Sequence, residues 1–145
     1  KEIDEELFVR WAQANAFMSM MQMSLSPWRV LREENSARVI AALKLHAALG
    51  EEIYALAKNA SITGEPIVRP MEYAFPNLGF EMVKDQFMLG NRYLIAPVLV
   101  PHATERRIIL PDGFWQGWNG QKYIGGQTIN VRVTMDDLPY FTVVV

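Results

Sequence analysis

The sequence predicts an α+β protein in which a helical first half precedes a strand-rich second half. Residues 1–64 contain much alanine and repeat their apolar positions every three or four residues, which is typical of helices. From residue 65 onward, short runs rich in valine, isoleucine and threonine alternate with turn sequences. Strands spaced in this way favour an antiparallel β-sandwich over residues 65–145.

The composition excludes several functional classes. The chain has 145 residues, of which 50% are hydrophobic and 21% charged, the balance of a folded globular protein. A formal net charge of −2 gives no electrostatic argument for binding nucleic acid or an anionic membrane. No apolar run approaches the ~20 residues of a membrane span. Because cysteine is absent, disulfides and thiolate metal sites are excluded. We also predict no cofactor and no metal ion.

The first element is predicted to be a helix that begins just after Asp4. Aspartate is a favoured N-cap because its carboxylate accepts a bond from a backbone N–H of the first turn. Glu5 and Glu6 then place negative charge at the positive end of the helix dipole. The helical spacing continues to Asn15 or Ala16, where we expect the helix to end.

The run Phe17–Ser24 is predicted to be a buried parallel strand, because it is short and apolar with neither helical nor alternating spacing. The simpler interpretation of its many methionines is that flexible thioethers fill the core. The alternative is that Gln22 and Ser24, polar residues at the end of a buried strand, point into a site. Barrels of alternating strands and helices keep their chemistry at the C-terminal ends of strands.

A long helix is predicted from about Ala37 to Asn59, with Gly64 as its stop. Apolar residues occupy most of its circumference, so it needs cover on several sides, either from the strand half or from protein outside this sequence. His46 is expected to be packed or hydrogen-bonded rather than a metal ligand, because the only other histidine is the distant His102. The first residue, Lys1, is not a methionine and indicates either a processed terminus or a piece of a longer protein.

The strand half is predicted to begin with an alternating run over Ile67–Phe75, which Pro70 restricts to a sheet edge or a bulge. Two apolar runs then flank Gly90-Asn91 and predict a hairpin with a two-residue loop. Turn sequences of the types Pro-Asp-Gly, Asn-Gly and Gly-Gly separate the remaining strands. Those strands are expected at Arg106–Leu110, Phe114–Trp118, Gln121–Ile124, Ile129–Val133 and Tyr140–Val145.

Two groups in the strand half are candidates for functional sites. Trp115 and Trp118 are candidates for a platform on which a sugar ring stacks, but a sandwich core with one half-exposed indole is the simpler expectation. Asp136-Asp137 precedes a Leu-Pro dipeptide and is expected to form a turn. Nothing near it would push apart the pKa values of an acid/base pair.

A series of short motifs resembles a known enzyme family. In chain order the motifs are Arg10–Gln13, Pro27-Trp28, Gly64–Pro70, Gln86–Gly90, Ala96–Leu99, Leu110–Trp115, Gly125-Gly126 and Leu138–Phe141. Together they are similar to the C-terminal part of glycoside hydrolase family 31 enzymes, and the likeness extends over nearly the whole chain. No single motif is decisive, but their order and spacing agree with that family.

The resemblance implies a (β/α)8 barrel followed by a β-sandwich, in an enzyme that cleaves α-glycosidic bonds with retention. Residues 1–64 would be the last helices and strand of the barrel, and residues 65–145 the sandwich next to it. The family's two catalytic aspartates would lie upstream of Lys1, so no acid in this chain inherits either role. The implied partners are a glycoside or oligosaccharide substrate and the remaining part of the barrel.

One segment departs from the commonest pattern of the family. Many members that act on glucosides have a proline, an arginine and a histidine in the last barrel strand, with the histidine contacting the sugar. Here Ser19, Gln22 and Ser24 occupy those positions. The run Met21–Trp28 instead resembles the α-galactosidase-like subgroup that includes the myogenesis-regulating glycosidase. The resemblance therefore implies α-galactosides rather than α-glucosides as substrates, with Gln22 and Ser24 as sugar contacts, and an isolated chain that is inactive.

A competing hypothesis assigns the chain no catalysis. The sandwich would then be a carbohydrate-binding module that holds its ligand through Trp115 or Trp118, or a structural module without a ligand. The two hypotheses differ in where a sugar binds. The enzyme would bind it at the strand end that carries Gln22 and Ser24, and the module would bind it on the sandwich.

Overall fold

The chain divides into two compact units, and the first of them, Lys1–Ile67, is helical. This helical unit contains α1 (Glu5–Asn15), α2 (Pro27–Val30), α3 (Glu33–Ala48) and α4 (Gly50–Thr63). The computed structural model describes residues 2–145, so Lys1, on which the expectation about the start of the chain rested, lies outside the described residues. Among the helices within residues 2–145, none is long and apolar enough to cross a membrane.

Helix α1 begins and ends as the sequence predicts. The Asp4 carboxylate accepts a hydrogen bond from the backbone N–H of Leu7 at 3.0 Å, which satisfies one of the free donors of the first turn. The helix packs against α3 through a face on which Val9 and Ala12 are buried. On the same side, Arg10 Nη1 donates to Gln13 Oε1 at 3.0 Å.

The long helix predicted over residues 37–59 is wrong, because the chain forms two helices that are separated at Leu49. The backbone of Leu49 has φ −83° and ψ −1°, a conformation outside the helical minimum, and the next residue, Gly50, is a poor helix former. The predicted stop at Gly64 is confirmed. Gly64 has a left-handed φ of 77°, and its N–H donates to the Ala60 carbonyl at 2.9 Å.

The strand predicted over Phe17–Ser24 is also wrong for this chain. Turns, bends and irregular backbone occupy the run, and only Phe17 in it is buried. A strand needs a neighbouring strand to bond its N–H and C=O groups, and the described part of the helical unit contains no strand. The methionines of this run therefore do not fill a core here, and Met20 is among the exposed side chains.

The strand unit, Val68–Val145, consists of two antiparallel sheets and one short helix. Its strands are β1 (Val68–Pro70), β2 (Phe87–Leu89), β3 (Tyr93–Ile95), β4 (Glu105–Leu110), β5 (Phe114–Gly117), β6 (Lys122–Ile124), β7 (Gln127–Arg132) and β8 (Tyr140–Val144), with helix α5 at Met71–Ala74. A six-stranded sheet has the order β1-β2-β3-β8-β5-β6, and a second sheet pairs β4 with β7. Both sheets contribute to one core, in which Leu94, Phe141 and Ile108 are fully buried. The predicted α+β class with an antiparallel sheet domain is confirmed.

Pro70 lies in an edge strand, as predicted, but that strand is shorter than predicted. Strand β1 lies at the edge of the six-stranded sheet, where a residue without an N–H is tolerated. The strand predicted over Ile67–Phe75 nevertheless ends at Pro70. Pro70 instead precedes one turn of helix, α5, whose first residue, Met71, is fully buried.

The predicted hairpin around Gly90-Asn91 is confirmed, with a loop that is longer than expected. Leu89 pairs with Tyr93, so Gly90, Asn91 and Arg92 all lie in the connection. Gly90 has a φ of 56°, which is the left-handed conformation that glycine adopts without a steric penalty. The remaining predicted strands are all present, with bounds that differ slightly from those expected.

Gln86 closes the outer edge of β4, which would otherwise be an open sheet edge. The backbone N–H of Ile109 donates to Gln86 Oε1 at 2.8 Å, and Gln86 Nε2 donates to the Ile109 carbonyl at 2.9 Å. The buried side-chain amide therefore makes the two bonds that a neighbouring strand would make. Next to it, Arg106 donates to the Pro97 carbonyl at 3.0 Å and pairs with the Asp85 carboxylate at 2.9 Å.

We expect Gln86→Leu to lower the free energy of unfolding by about 2 kcal/mol, because it leaves both backbone groups of Ile109 without a partner in a partly buried place. Urea denaturation followed by circular dichroism measures the change. Gln116→Leu is the matched control, since Gln116 is exposed on β5 and its replacement should change stability by no more than about 0.5 kcal/mol. Equal stability of the two variants would contradict the proposed role of Gln86.

Candidate functional site

One face of α1 and the segment that follows it line a cavity of about 330 Å³ within the helical unit. Gln22 and Ser24, the two residues that the sequence predicts as sugar contacts, both lie in its wall. The structure therefore brings the predicted residues together, although the strand predicted to carry them does not form. The other lining residues are Ile3, Asp4, Leu7, Phe8, Trp11, Ala12, Asn15, Met23 and Leu25.

Helix α1 positions the apolar wall of this cavity. Its opposite face packs against α3, which turns Leu7 and Trp11 away from the core. These two residues are four apart and so lie one above the other on the helix surface. Trp11 is 66% exposed and presents its indole to the cavity. The sequence places Trp11 in a motif but gives no signal that it lies beside Gln22 and Ser24, because that proximity depends on how the segment after the helix returns.

The polar groups of the cavity are accessible to a ligand. Gln22 and Ser24 are both exposed, and within residues 2–145 neither side chain has a hydrogen-bond partner. Asn15, by contrast, donates from Nδ2 to the Trp11 carbonyl at 2.8 Å. An amide and a hydroxyl beside an exposed indole are the kinds of group that bind the hydroxyls and the apolar face of a sugar ring.

The ends of the segment between α1 and α2 are fixed by burial and hydrogen bonds. His46 on α3 is 3.0 Å from the Ala16 carbonyl through Nδ1, which confirms the expectation that this histidine is hydrogen-bonded. Phe17 and Pro27 are both fully buried. Between these two points the backbone follows no regular structure until α2 begins.

A polar cluster joins the start of α1 to the start of α3. The Glu5 carboxylate accepts hydrogen bonds from Asn35 Nδ2 at 2.5 Å and from Arg32 Nε at 3.1 Å. The bond from Asn35, followed by the contacts with Arg32, lowers the pKa of Glu5 below its usual value. Because the ionised form is the bonded one, the contribution of this cluster to stability is present above the usual pKa of a glutamate. It is lost as the pH falls through the lowered pKa.

The described cavity wall lacks the pair of carboxyl groups that retaining hydrolysis of a glycoside needs. Retaining hydrolysis of a glycoside needs two carboxyl groups about 5–5.5 Å apart. Asp4 is the single acid in the described cavity wall, and its Oδ1 already caps α1 at Leu7. Among residues 2–145 there is also no cluster of three or more histidine and acidic side chains that could hold a metal ion.

The Asp136-Asp137 pair forms a turn, as predicted. Asp137 Oδ1 accepts a bond from Trp118 Nε1 at 2.9 Å, and its Oδ2 accepts one from the backbone N–H of Thr134 at 2.8 Å. Both oxygens of Asp137 therefore have structural partners. A carboxylate bonded in this way is not positioned to attack a substrate or to transfer a proton to it.

The tryptophan platform considered for the strand unit does not form. Trp115 is 2% exposed, and its Nε1 donates to the Pro111 carbonyl at 2.9 Å inside the sandwich. Trp118 is half-buried and meets Phe141 edge to face, with ring centroids 5.9 Å apart. The simpler expectation of a core with one half-exposed indole is confirmed. Trp115 cannot stack on a sugar without unfolding, so the hypothesis of a binding module that uses Trp115 is wrong.

Comparison with known proteins gives the family. Residues 64–143 match the family described as glycosyl hydrolase family 31 C-terminal domain. The chain therefore belongs to glycosyl hydrolase family 31, as the order of its motifs indicated. The match begins at the residue that ends α4 and continues almost to the end of the chain.

Proteins named as glycosidases are similar to nearly the whole chain. The myogenesis-regulating glycosidase of Mus musculus is 35% identical over 96% of the chain, and the α-xylosidase of Saccharolobus solfataricus is 32% identical over 94%. The chain spans 20% of the length of each of these two proteins. A dextranase of Flavobacterium johnsoniae, solved in complex with isomaltotriose, matches 96% of the chain with a TM-score of 0.86 and 30% identity. The chain covers 18% of that structure.

Proposed function

We propose that this chain is the end of the catalytic barrel and the adjoining sandwich of a retaining α-glycosidase. Residues 1–64 would be the last helices and the last strand region of the barrel, and residues 65–145 the sandwich that follows it. The observation that carries this proposal is the extent of the similarity. Proteins named as glycosidases match both the helical and the strand unit, over 94–96% of the chain. A binding module made only of the sandwich would not account for the helical unit.

The proposed substrates are terminal α-linked sugars, with α-galactosides preferred over α-glucosides. The preference rests on Ser19, Gln22 and Ser24, which stand where many glucoside-cleaving members have proline, arginine and histidine. A short hydroxyl and a neutral amide leave more room beside the sugar than a guanidinium and an imidazole, and they offer both donors and acceptors. The 35% identity to the myogenesis-regulating glycosidase agrees with the subgroup that Met21–Trp28 resembles. The similarity to an α-xylosidase means that other sugars must be tested as well.

Within this proposal the chain binds substrate and the rest of the barrel performs the chemistry. One carboxylate from outside this chain would attack the anomeric carbon, while a second carboxyl group protonates the leaving oxygen. Gln22 and Ser24 would donate and accept hydrogen bonds with the sugar hydroxyls. The exposed apolar wall with Leu7 and Trp11 is the kind of surface that the remaining barrel would cover.

The substrate class is tested by comparing aryl α-galactoside with aryl α-glucoside in the longer protein that carries this chain. We expect kcat/KM for the galactoside to be at least about tenfold higher, since one unmatched hydroxyl in a polar site costs about that much or more. A ratio in favour of the glucoside would overturn the galactoside assignment. It would leave the assignment to the α-glycosidases intact.

We expect Ser24→Ala in that longer protein to lower kcat/KM for its best substrate about tenfold, because the sugar hydroxyl loses its partner. Steady-state kinetics with the aryl glycoside measure the change. Ser26→Ala is the matched control, since Ser26 lies outside the described cavity wall and its side chain makes no capping bond to α2. An unchanged kcat/KM in Ser24→Ala would remove Ser24 from the sugar contacts.

A further inference from the structure

The hydrogen bond of His46 joins α3 to the first residue after α1. His46 Nδ1 lies 3.0 Å from the Ala16 carbonyl oxygen, across a separation of 30 residues. A carbonyl oxygen can only accept, so Nδ1 carries the proton.

The position of this bond matters because the segment beyond it has few other constraints. Ala16 and Phe17 are fully buried, and the Met18 N–H donates to the Asn15 carbonyl at 3.0 Å. Among the described residues, 19–25 then have no backbone-to-backbone hydrogen bond before the N–H of Arg29 bonds Ser26. The direction in which the chain leaves α1 is therefore set at Ala16 and Phe17.

We propose that His46 is a positioning residue for the candidate sugar contacts Gln22 and Ser24, an inference that rests on the proposed function. By holding the Ala16 carbonyl, the imidazole fixes the start of the segment that carries both side chains. Gln22 and Ser24 have no side-chain hydrogen bonds of their own within residues 2–145, so their placement depends on the backbone beneath them. A displacement of about 1 Å at a binding group can cost up to about 10²-fold in rate.

The first experiment measures backbone protection in the 145-residue chain. His46→Leu removes the donor, whereas His46→Asn retains it, because the asparagine Nδ2 lies the same number of bonds from Cα as the histidine Nδ1. Hydrogen exchange of the Ala16 and Met18 amides, whose N–H groups are hydrogen-bonded, should be about tenfold faster in His46→Leu and within about threefold of the original rate in His46→Asn. Lys44→Leu, at an exposed position of the same helix, is the control and should leave these rates unchanged.

The second experiment measures turnover in the longer protein. His46→Leu should lower kcat/KM about tenfold, and His46→Asn should restore most of the loss. If His46 acts through the position of Ser24, then Ser24→Ala should cost less in the His46→Leu background than in the original protein. Additive losses, or a loss that His46→Asn does not rescue, would overturn the inference even if stability falls.

The two experiments separate the inference from the proposed function. Unchanged exchange rates of the Ala16 and Met18 amides in His46→Leu would overturn the positioning role, whatever the enzyme does. Absence of turnover by the longer protein on any α-glycoside would instead overturn the proposed function. In that case, faster exchange in His46→Leu would show that His46 still holds the segment, without a catalytic consequence.

Discussion

Replacing Phe141 by alanine is expected to lower the free energy of unfolding of the strand unit by about 3–5 kcal/mol. Phe141 is 0% exposed on β8, in the interior of the six-stranded sheet. Its ring meets Tyr123 and Trp118 edge to face, with centroids 5.4 and 5.9 Å away. Truncation therefore removes the burial of a large side chain and two aromatic contacts, and it leaves a cavity that β-strands on both sides cannot close.

Phe114→Ala is the matched control for this experiment. Phe114 lies on β5, which pairs directly with β8, but it is 64% exposed. Its truncation should cost less than about 1 kcal/mol, because little apolar surface returns to water. Urea denaturation followed by circular dichroism avoids interference from the indole of Trp118. Losses of similar size in the two variants would contradict the assignment of Phe141 to the centre of the core.

Local patterns in the sequence predicted the elements whose cause is local. The Asp4 cap, the left-handed glycines at Gly64 and Gly90, and the edge position of Pro70 each follow from the chemistry of one residue. The strands after Leu99 were predicted for the same reason, because strong turn sequences separate them. These features need no knowledge of distant contacts.

The failed predictions involve interactions that the local pattern does not contain. The run Phe17–Ser24 has the composition of a buried strand, but a strand forms only where another strand bonds it. The break at Leu49 interrupts an apolar spacing that continues through it, so periodicity alone could not reveal it. The loop after Leu89 gained a third residue, Arg92, because the pairing register ends at Tyr93.

In the candidate site, too, the residues could be predicted from the sequence but their tertiary contacts could not. Gln22 and Ser24 were predicted as sugar contacts from their place in the sequence, and both side chains lie in the wall of one cavity. The proximity of Trp11 and the bond from His46 to Ala16 could not be predicted, because each joins residues through tertiary packing. The first contact depends on how the segment after α1 returns to that helix, and the second depends on how α3 packs against α1.

Hydrolysis of α-glycosides is expected from the longer protein and not from this chain alone. The described cavity wall contains one acid, Asp4, which is already engaged in capping α1, whereas retaining cleavage needs two carboxyl groups on opposite sides of the bond. Loss of the nucleophile and of the acid/base removes most of an enzyme's rate enhancement. We therefore expect the chain alone to be at least about 10⁴-fold slower than the longer protein.

The most direct measurement is the release of p-nitrophenol from aryl α-galactoside and α-glucoside by the two proteins at equal concentration. The proposal that this chain is the substrate-binding end of a retaining α-glycosidase predicts steady turnover by the longer protein and only the uncatalysed rate with the 145-residue chain. Measurable turnover by the chain alone would contradict the proposal, as would a longer protein that hydrolyses neither substrate nor any other α-glycoside.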